Sequence, residues 1–206
     1  MPTYPLTLPA GIGVVSSSWR LQRVISESQS IFTGAQQSYE HPGAWWEGEI
    51  TFEPMRRATA APLQAFLAEL RGKLGTFLYS DPDALSLLGV GGTITVNGGG
   101  QTGNTLNVDG MTTSTNNILK PGDYFQLGSG STRTLHMATQ ALNSNGGGAG
   151  VLTFEPAIKI SPADNSAVVI SSPKGIFRLV ENNSGWTSDF SSIQQITIAF
   201  KEAISI

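Results

Sequence analysis

The sequence predicts a mainly β protein, between all-β and α+β. A β-sandwich or split-barrel domain carries one flanking α-helix and is interrupted by an inserted small β-barrel or β-sandwich. Three observations predict it. Charged residues make up 13% of the 206-residue chain, about half the usual share, while 24 glycines and abundant Ser, Thr and Asn supply turns. Apolar residues recur mostly in short period-two runs bounded by Gly, Pro, Asn and Asp. Only one stretch carries a clear helical period.

That stretch is 62–73, where Leu63, Phe66, Leu67, Leu70 and Leu74 form an apolar stripe. Pro62 suits a first helical turn, Arg71 and Lys73 complement the negative end of the dipole, and Gly72 and Gly75 end the helix. A short amphipathic helix must lie on something, and the strand-like runs 45–52, 76–79 and 193–206 are the candidates.

From the N-terminus, Pro2, Pro5 and Pro9 prevent a regular element up to about Gly13. These residues read as an extended arm, and its apolar flecks, Tyr4, Leu6, Leu8 and Ile12, favour pinning against a neighbour over disorder. In 18–26, Trp19 and Leu21 take one face and Arg20 and Gln22 the other, until Arg23 and Val24 break the alternation. A turn at 30–34 leads to a weakly strand-like run, 35–40, and His41-Pro42-Gly43 reads as a second turn. The run 44–52 reads as a central strand with Trp46, Gly48, Ile50 and Phe52 on one face and Trp45, Glu47 and Glu49 on the other.

From 88 to 174 the composition shifts. Glycine clusters at 89–92, 98–103 and 146–150 separate the short runs 93–96, 105–108, 151–154 and 167–170, with further strands within 119–127 and 132–138. This spacing suggests a small barrel or sandwich. Denser alternation returns at 175–180 and 193–200, where Ile196, Ile198 and Phe200 face one way. The partition is therefore a helix-bearing domain of 1–87 plus 175–206, and an inserted Gly-rich β domain of 88–174.

Charge and chemistry exclude several function classes. A net charge of −3 leaves no basic footprint for nucleic acid, so no direct DNA or RNA binding is expected. No window approaches the roughly 20 apolar residues of a membrane helix, and the start lacks a signal-peptide pattern, which predicts no membrane insertion and synthesis in the cytoplasm without export by a cleaved signal. Without cysteine there is no disulfide, thiolate zinc site or cysteine nucleophile.

Gly98-Gly-Gly-Gln-Thr-Gly103 matches a dinucleotide loop in letters, but strand-like residues follow where the fold needs a helix, so it reads as a hairpin. His41 and His136 are the only histidines, and neither accompanies a nucleophile elbow. They read as a turn residue and as a solvent-facing or hydrogen-bonded strand residue. Asp81 and Asp83 beside Pro82 read as turn initiators before they read as cation ligands. Asn182-Asn183-Ser184 fits the glycosylation sequon, a match unsupported without a signal peptide. No catalytic, cofactor or metal residue is assigned, and no enzyme activity is expected. Trp19, Trp45, Trp46 and Trp186 are candidates for core, interface or sugar stacking. Adjacent Trp45 and Trp46 must point to opposite faces of a strand, so one serves the core and the other is free for a partner.

In order along the chain, SIFTGAQQ at 30–37, GAWW at 43–46, FEPM at 52–55, FLAELRG at 66–72, GTF at 75–77 and DP at 81–82 resemble minor tail proteins of long-tailed, siphovirus-like bacteriophages. LKPGDYF at 119–125, FEP at 154–156 and FRL at 177–179 look like the second half of the same family, so the resemblance spans most of the chain through short motifs whose order carries the weight. It implies a distal tail protein: a tail-tube-like domain of sheets with a flanking helix, an outward β domain inserted into it, and a ring, commonly a hexamer, joining the tail tube to the tip or baseplate hub. The implied partners are other copies of the chain, the tail tube protein, tail tip or hub proteins and, through the inserted domain, host-surface carbohydrate. The implied location is the virion, assembled in the bacterial cytoplasm.

A head-to-tail ring needs two different patches that meet. Free edge strands and an apolar arm supply them by strand addition, which makes Tyr4, Leu6, Leu8 and exposed Trp45 or Trp46 the candidate subunit-interface residues. Two rivals come from other classes. A carbohydrate-binding module of the tail tip needs an exposed aromatic platform, and a tail-associated hydrolase needs a buried acid pair or a histidine site.

Overall fold

Period-two runs give strands wherever one face can be buried, and the computed structural model, which describes residues 2–183, 185–188 and 193–203, is mainly β: 44% strand and 10% helical, its sheets including a curled half-barrel. In chain order the elements are β1 (Leu6–Thr7), β2 (Val14–Gln29), β3 (Gln36–Phe52), β4 (Met55–Arg56), α1 (Arg57–Leu70), β5 (Phe77–Tyr79), β6 (Thr95–Val96), β7 (Gly103–Asp109) and β8 (Tyr124–Leu127). They continue with β9 (Thr134–Ala138), β10 (Gly150–Ile158), β11 (Gly175–Leu179), β12 (Thr187–Ser188), β13 (Ile193–Gln195) and β14 (Thr197–Glu202). A six-stranded sheet has the order β1-β5-β11-β14-β3-β2, a five-stranded sheet the order β6-β7-β10-β9-β8, and a small sheet the order β12-β13-β4.

Two apolar cores follow from this arrangement. The first lies under the six-stranded sheet and gathers Trp46, Ile50, Phe52, Phe77, Phe177, Ile198 and Phe200 with the buried face of α1. Trp19 crosses Phe200 edge-on at 5.1 Å and stacks on Tyr79 at 5.6 Å. Gly48 lies between Trp19 and Phe200 in register, and a Cβ there would stand 1.9 Å from the Ser18 carbonyl oxygen and 2.8 Å from the Phe200 ring, so only glycine fits. The second core draws Ile94, Val96, Leu106, Val108, Phe125, Leu127, Leu152 and Phe154 from the five-stranded sheet and its loops.

β8 and β9 serve both cores, because successive side chains of a strand take opposite faces. Phe125 and Ala138 face the second core, while Leu135 is buried in the first and Tyr124 and Met137 pack against it. Tyr124 meets Trp46 at 5.7 Å, and Trp46 Nε1 donates to the Leu135 carbonyl at 3.0 Å.

The helix starts earlier than the stripe 62–73 predicts. Ala58, Thr59, Ala60 and Ala61 extend it toward the N-terminus, and Ala60 joins Leu63, Phe66, Leu67 and Leu70 on the buried face. Pro62 is therefore interior. It removes one hydrogen bond to the Ala58 carbonyl, but both residues are exposed, so water reaches the freed oxygen. Each large side chain of the stripe contributes about 1.5–3 kcal/mol of burial. Arg71, left-handed at φ 52°, ends the helix, and the Gly75 N–H closes on the Leu70 carbonyl at 2.8 Å. Leu74 falls beyond this end and is 68% exposed, so it is not part of the stripe.

The second correction concerns 35–52. His41-Pro42-Gly43 is not a turn: β3 runs through it, and these three residues oppose the single Val24 of β2, between the pairs Arg23↔Ala44 and Ile25↔Glu40. They form a bulge, which uses the same residue types as a turn while the chain keeps its direction. Runs 93–96, 105–108, 151–154, 175–180 and 193–200 contain strands as expected, whereas 167–170 makes only isolated bridges, Ala167 to Thr95 and Val169 to Gln126. Residues 204–206 of the C-terminal run lie outside the described residues.

Candidate subunit interface

The predicted interface residues divide. Tyr4, Leu6 and Leu8 are half-buried against the chain's own first core. The Tyr4 hydroxyl donates to the Glu69 carbonyl at 2.8 Å, the Leu6 N–H to Thr76 O at 2.8 Å, and Leu6–Thr7 pairs in parallel with Phe77 and Leu78. The arm is thus pinned to its own body, and Tyr4, Leu6 and Leu8 each keep part of their surface exposed. Trp46 is 4% exposed and its backbone N–H donates to Glu202 Oε2 at 3.1 Å, so of the two adjacent tryptophans it is the core one. Trp45, paired with Gln22 on the opposite face, is half-buried and keeps surface to offer.

The surface without a cover lies elsewhere, on the hairpin of β2 and β3. The body half of this ladder, 14–23 with 44–52, carries Trp19, Leu21, Trp46, Ile50 and Phe52 into the core. Beyond the bulge, residues 24–29 and 36–40 are exposed on both faces. At the tip, the Ser30 hydroxyl accepts from the Phe32 and Thr33 N–H groups at 3.4 and 3.3 Å, and the Gly34 N–H returns to the Ser30 carbonyl at 2.9 Å, with Gly34 at φ 69°. This local network holds the turn and displays Ile31 and Phe32, which are 90% and 91% exposed. Val24, Ile25 and Tyr39 are also exposed along the hairpin. Ile25, paired with Glu40, and Tyr39, paired with Ser26, take opposite faces of the ribbon, so exposed apolar side chains stand on both of its faces as well as at the tip.

β2 also ends the six-stranded sheet. Its 16 residues span about 50 Å with one backbone edge free, carrying Arg20, Arg23 and Glu27 and breaking register between Val14 and Ser16 and between Arg23 and Ile25. The outward sheet face beside it is polar: Arg20, Glu47, Lys201 and Arg178 lie in one row across four strands, with Gln22 donating to Glu47 at 2.6 Å. Among the described large apolar side chains Ile31 and Phe32 are the most exposed, while others such as Leu74, Leu88 and Val90 are exposed away from the hairpin.

One guanidinium sits where the hairpin leaves the body. Arg23 Nη1 donates to Glu40 Oε1 at 2.7 Å and Nη2 to Glu155 Oε2 at 3.1 Å, joining β2 to the hairpin half of β3 and to β10. The Glu40 hydrogen bond is the main influence raising the Arg23 pKa above its ordinary value. Beside this fork is a cleft of about 410 Å³ lined by His41, Pro42, Ala44, Asn104 and Ile158 among others.

Among the described residues the two histidines lie apart, one buried and one on the exposed hairpin. His136 is fully buried, with Nδ1 2.8 Å from the Pro156 carbonyl and Nε2 2.8 Å from Thr134 Oγ1. Because a carbonyl only accepts, Nδ1 carries the proton and Nε2 accepts from the threonine. Burial pushes its pKa down to about 3, so it is hydrogen-bonded and neutral rather than solvent-facing. His41 Nε2 lies 2.9 Å from Ser26 Oγ on the exposed hairpin, and among the described residues no carboxylate orients its other nitrogen. Asp81 accepts from the Asp83 N–H at 3.1 Å, the expected turn. No group of three or more His, Cys, Asp or Glu able to hold a metal is found among the described residues. In 98–103, Gln101 fills the turn, donating to the Gly98 carbonyl at 2.8 Å and accepting from the Asn107 N–H at 2.7 Å, and β7 follows directly. The sequon ends on Ser184, outside the described residues. No helix among the described residues is long and apolar enough to cross a membrane.

Sequence reasoning did not single out the exposed tip of the hairpin. Its signal was present: two apolar residues, Ile31 and Phe32, inside a turn flanked by polar runs, a place where burial by the chain itself is hard to arrange. Compared with known proteins, the chain matches no family model and no curated protein.

Proposed function

We propose that the chain is a structural, non-enzymatic protein of a phage tail, whose copies close head to tail into a ring, expected to be a hexamer, at the distal end of the tail tube. The ring would join the tube protein to the tail tip or baseplate hub, within a virion assembled in the bacterial cytoplasm. The observation that carries the reading is the hairpin. A two-stranded ribbon beyond the core is marginal by itself, and this one displays Ile31 and Phe32 to solvent beside a free 16-residue edge. A neighbouring copy that covers the tip and edge buries apolar area and pairs backbone groups at once. The ordered tail-protein motifs along the sequence supply the tail context.

Light scattering of the purified chain over a concentration series, with negative-stain images of the same samples, tests the reading. Closed rings are expected, and Ile31→Ser with Phe32→Ser should leave folded monomers. A species that stays monomeric at every concentration, or rings indifferent to the tip variant, would overturn it.

A further inference from the structure

Beyond its base, where β3 still touches β10, the hairpin packs on neither core. Past the bulge its residues touch solvent on both faces, and a cleft of about 410 Å³ separates its base from β10. A bulge bends the strand and increases its local twist, so contacts that bridge it bear directly on the angle of the ribbon. Three charged side chains meet there. Arg23 stands on the last core-bound pair, Arg23↔Ala44, while Glu40 stands on the first free pair, Ile25↔Glu40, and Glu155 belongs to β10 across the cleft. A planar guanidinium can hold two carboxylates in fixed directions, which an ammonium cannot.

We propose that Arg23 is a positioning residue that sets the angle of the β2–β3 hairpin to the body, with Glu155 as the fixed anchor and Glu40 as the moving arm. With the fork closed, Ile31 and Phe32 are held at one place relative to the five-stranded sheet. With it open, the ribbon swings about the bulge over the cleft. The consequence for assembly, that the fork presets the tip for a neighbouring copy, rests on the reading of the hairpin as a subunit contact. The fork itself does not.

The chain has no cysteine, so spin labels can be placed by Ser28→Cys on the hairpin and Val151→Cys on β10, both exposed. Pulsed dipolar spectroscopy on dilute, unassembled protein should give one narrow distance. Arg23→Met and Glu40→Gln should each replace it by a broad or second distribution, with circular dichroism unchanged. The swap Arg23→Glu with Glu155→Arg, which returns one guanidinium between two carboxylates, should restore the single distance, a rescue that a merely space-filling Arg23 would not give. A native distribution in Arg23→Met, or a broad one in the unaltered fork, would overturn the proposal. Rings that form normally with an open fork would place the fault in the fork, whereas a closed fork on a chain that never assembles would place it in the interface reading.

Discussion

His136 shows what a buried polar side chain contributes at the scale of one residue. It stacks on Phe125 at 5.5 Å and meets Phe154 edge-on at 5.0 Å, so the ring fills apolar space while both nitrogens are satisfied by neutral partners. Burial holds its pKa at about 3, against 6.5 in the unfolded chain. Between these values the unfolded state binds the proton and the folded state does not. The stabilisation is complete above the unfolded value and is lost as pH falls toward 3, up to roughly 5 kcal/mol. Urea denaturation at several pH values should therefore show stability falling through this window, and His136→Gln should flatten the slope. An equal slope in the variant would assign the acid sensitivity to the carboxylates. Trp46 is the second case. Trp46→Phe keeps most of the apolar bulk but leaves the Leu135 carbonyl without its donor, and should cost about 1–3 kcal/mol in the same measurement.

At the scale of elements, the ladder of β2 and β3 is one structure with two environments. Its body half depends on close approach, and Gly48→Ala would drive a methyl group into the Ser18 carbonyl and the Phe200 ring. We expect a loss of about 3 kcal/mol or more, read as a lower denaturation midpoint with an unchanged slope. Its free half should behave oppositely. Ile31→Ser and Phe32→Ser touch no core residue and should move monomer stability by less than about 0.5 kcal/mol. This contrast also explains which elements are legible in the sequence. The helix stripe at Leu63, Phe66, Leu67 and Leu70 and the alternation of Trp46, Ile50 and Phe52 can be read because burial on one face imposes a period. The free ribbon 25–40 has no buried face, so Ser, Gln and Glu fall on both sides and the pattern that marks a strand is missing. His41-Pro42-Gly43 misleads for a related reason: local chemistry specifies a break in pairing, while only the distant partner Val24 decides between a turn and a bulge. The arm's attachment to β5, 70 or so residues away, is likewise a tertiary choice that local propensity does not encode.

For the whole molecule, the question is whether two cores mean two independent folding units. The contacts through β8 and β9 argue for one. Leu135 is fully buried only because the six-stranded sheet covers it, and Trp46 and Tyr124 meet across the same boundary. Lys159, in the chain just after β10, is paired with Glu202 at the end of β14; both side chains are nearly inaccessible, and Glu202 also receives the Trp46 N–H. Burial, the largest influence, pushes the lysine pKa down. Such a pair adds little over an apolar contact of equal volume, but removing one member strands the other charge, at about 3–5 kcal/mol. Lys159→Met should therefore destabilise both sheets together. Tryptophan fluorescence follows the first core, since all four tryptophans lie outside 88–174, and far-UV circular dichroism follows the strands of both. If the cores are coupled as the contacts indicate, the two signals lose structure at one urea concentration in the parent chain and shift together in Lys159→Met. Separate transitions in the parent would show that the boundary through Leu135 and Tyr124 opens before either core melts, and that the 88–174 segment folds without the body.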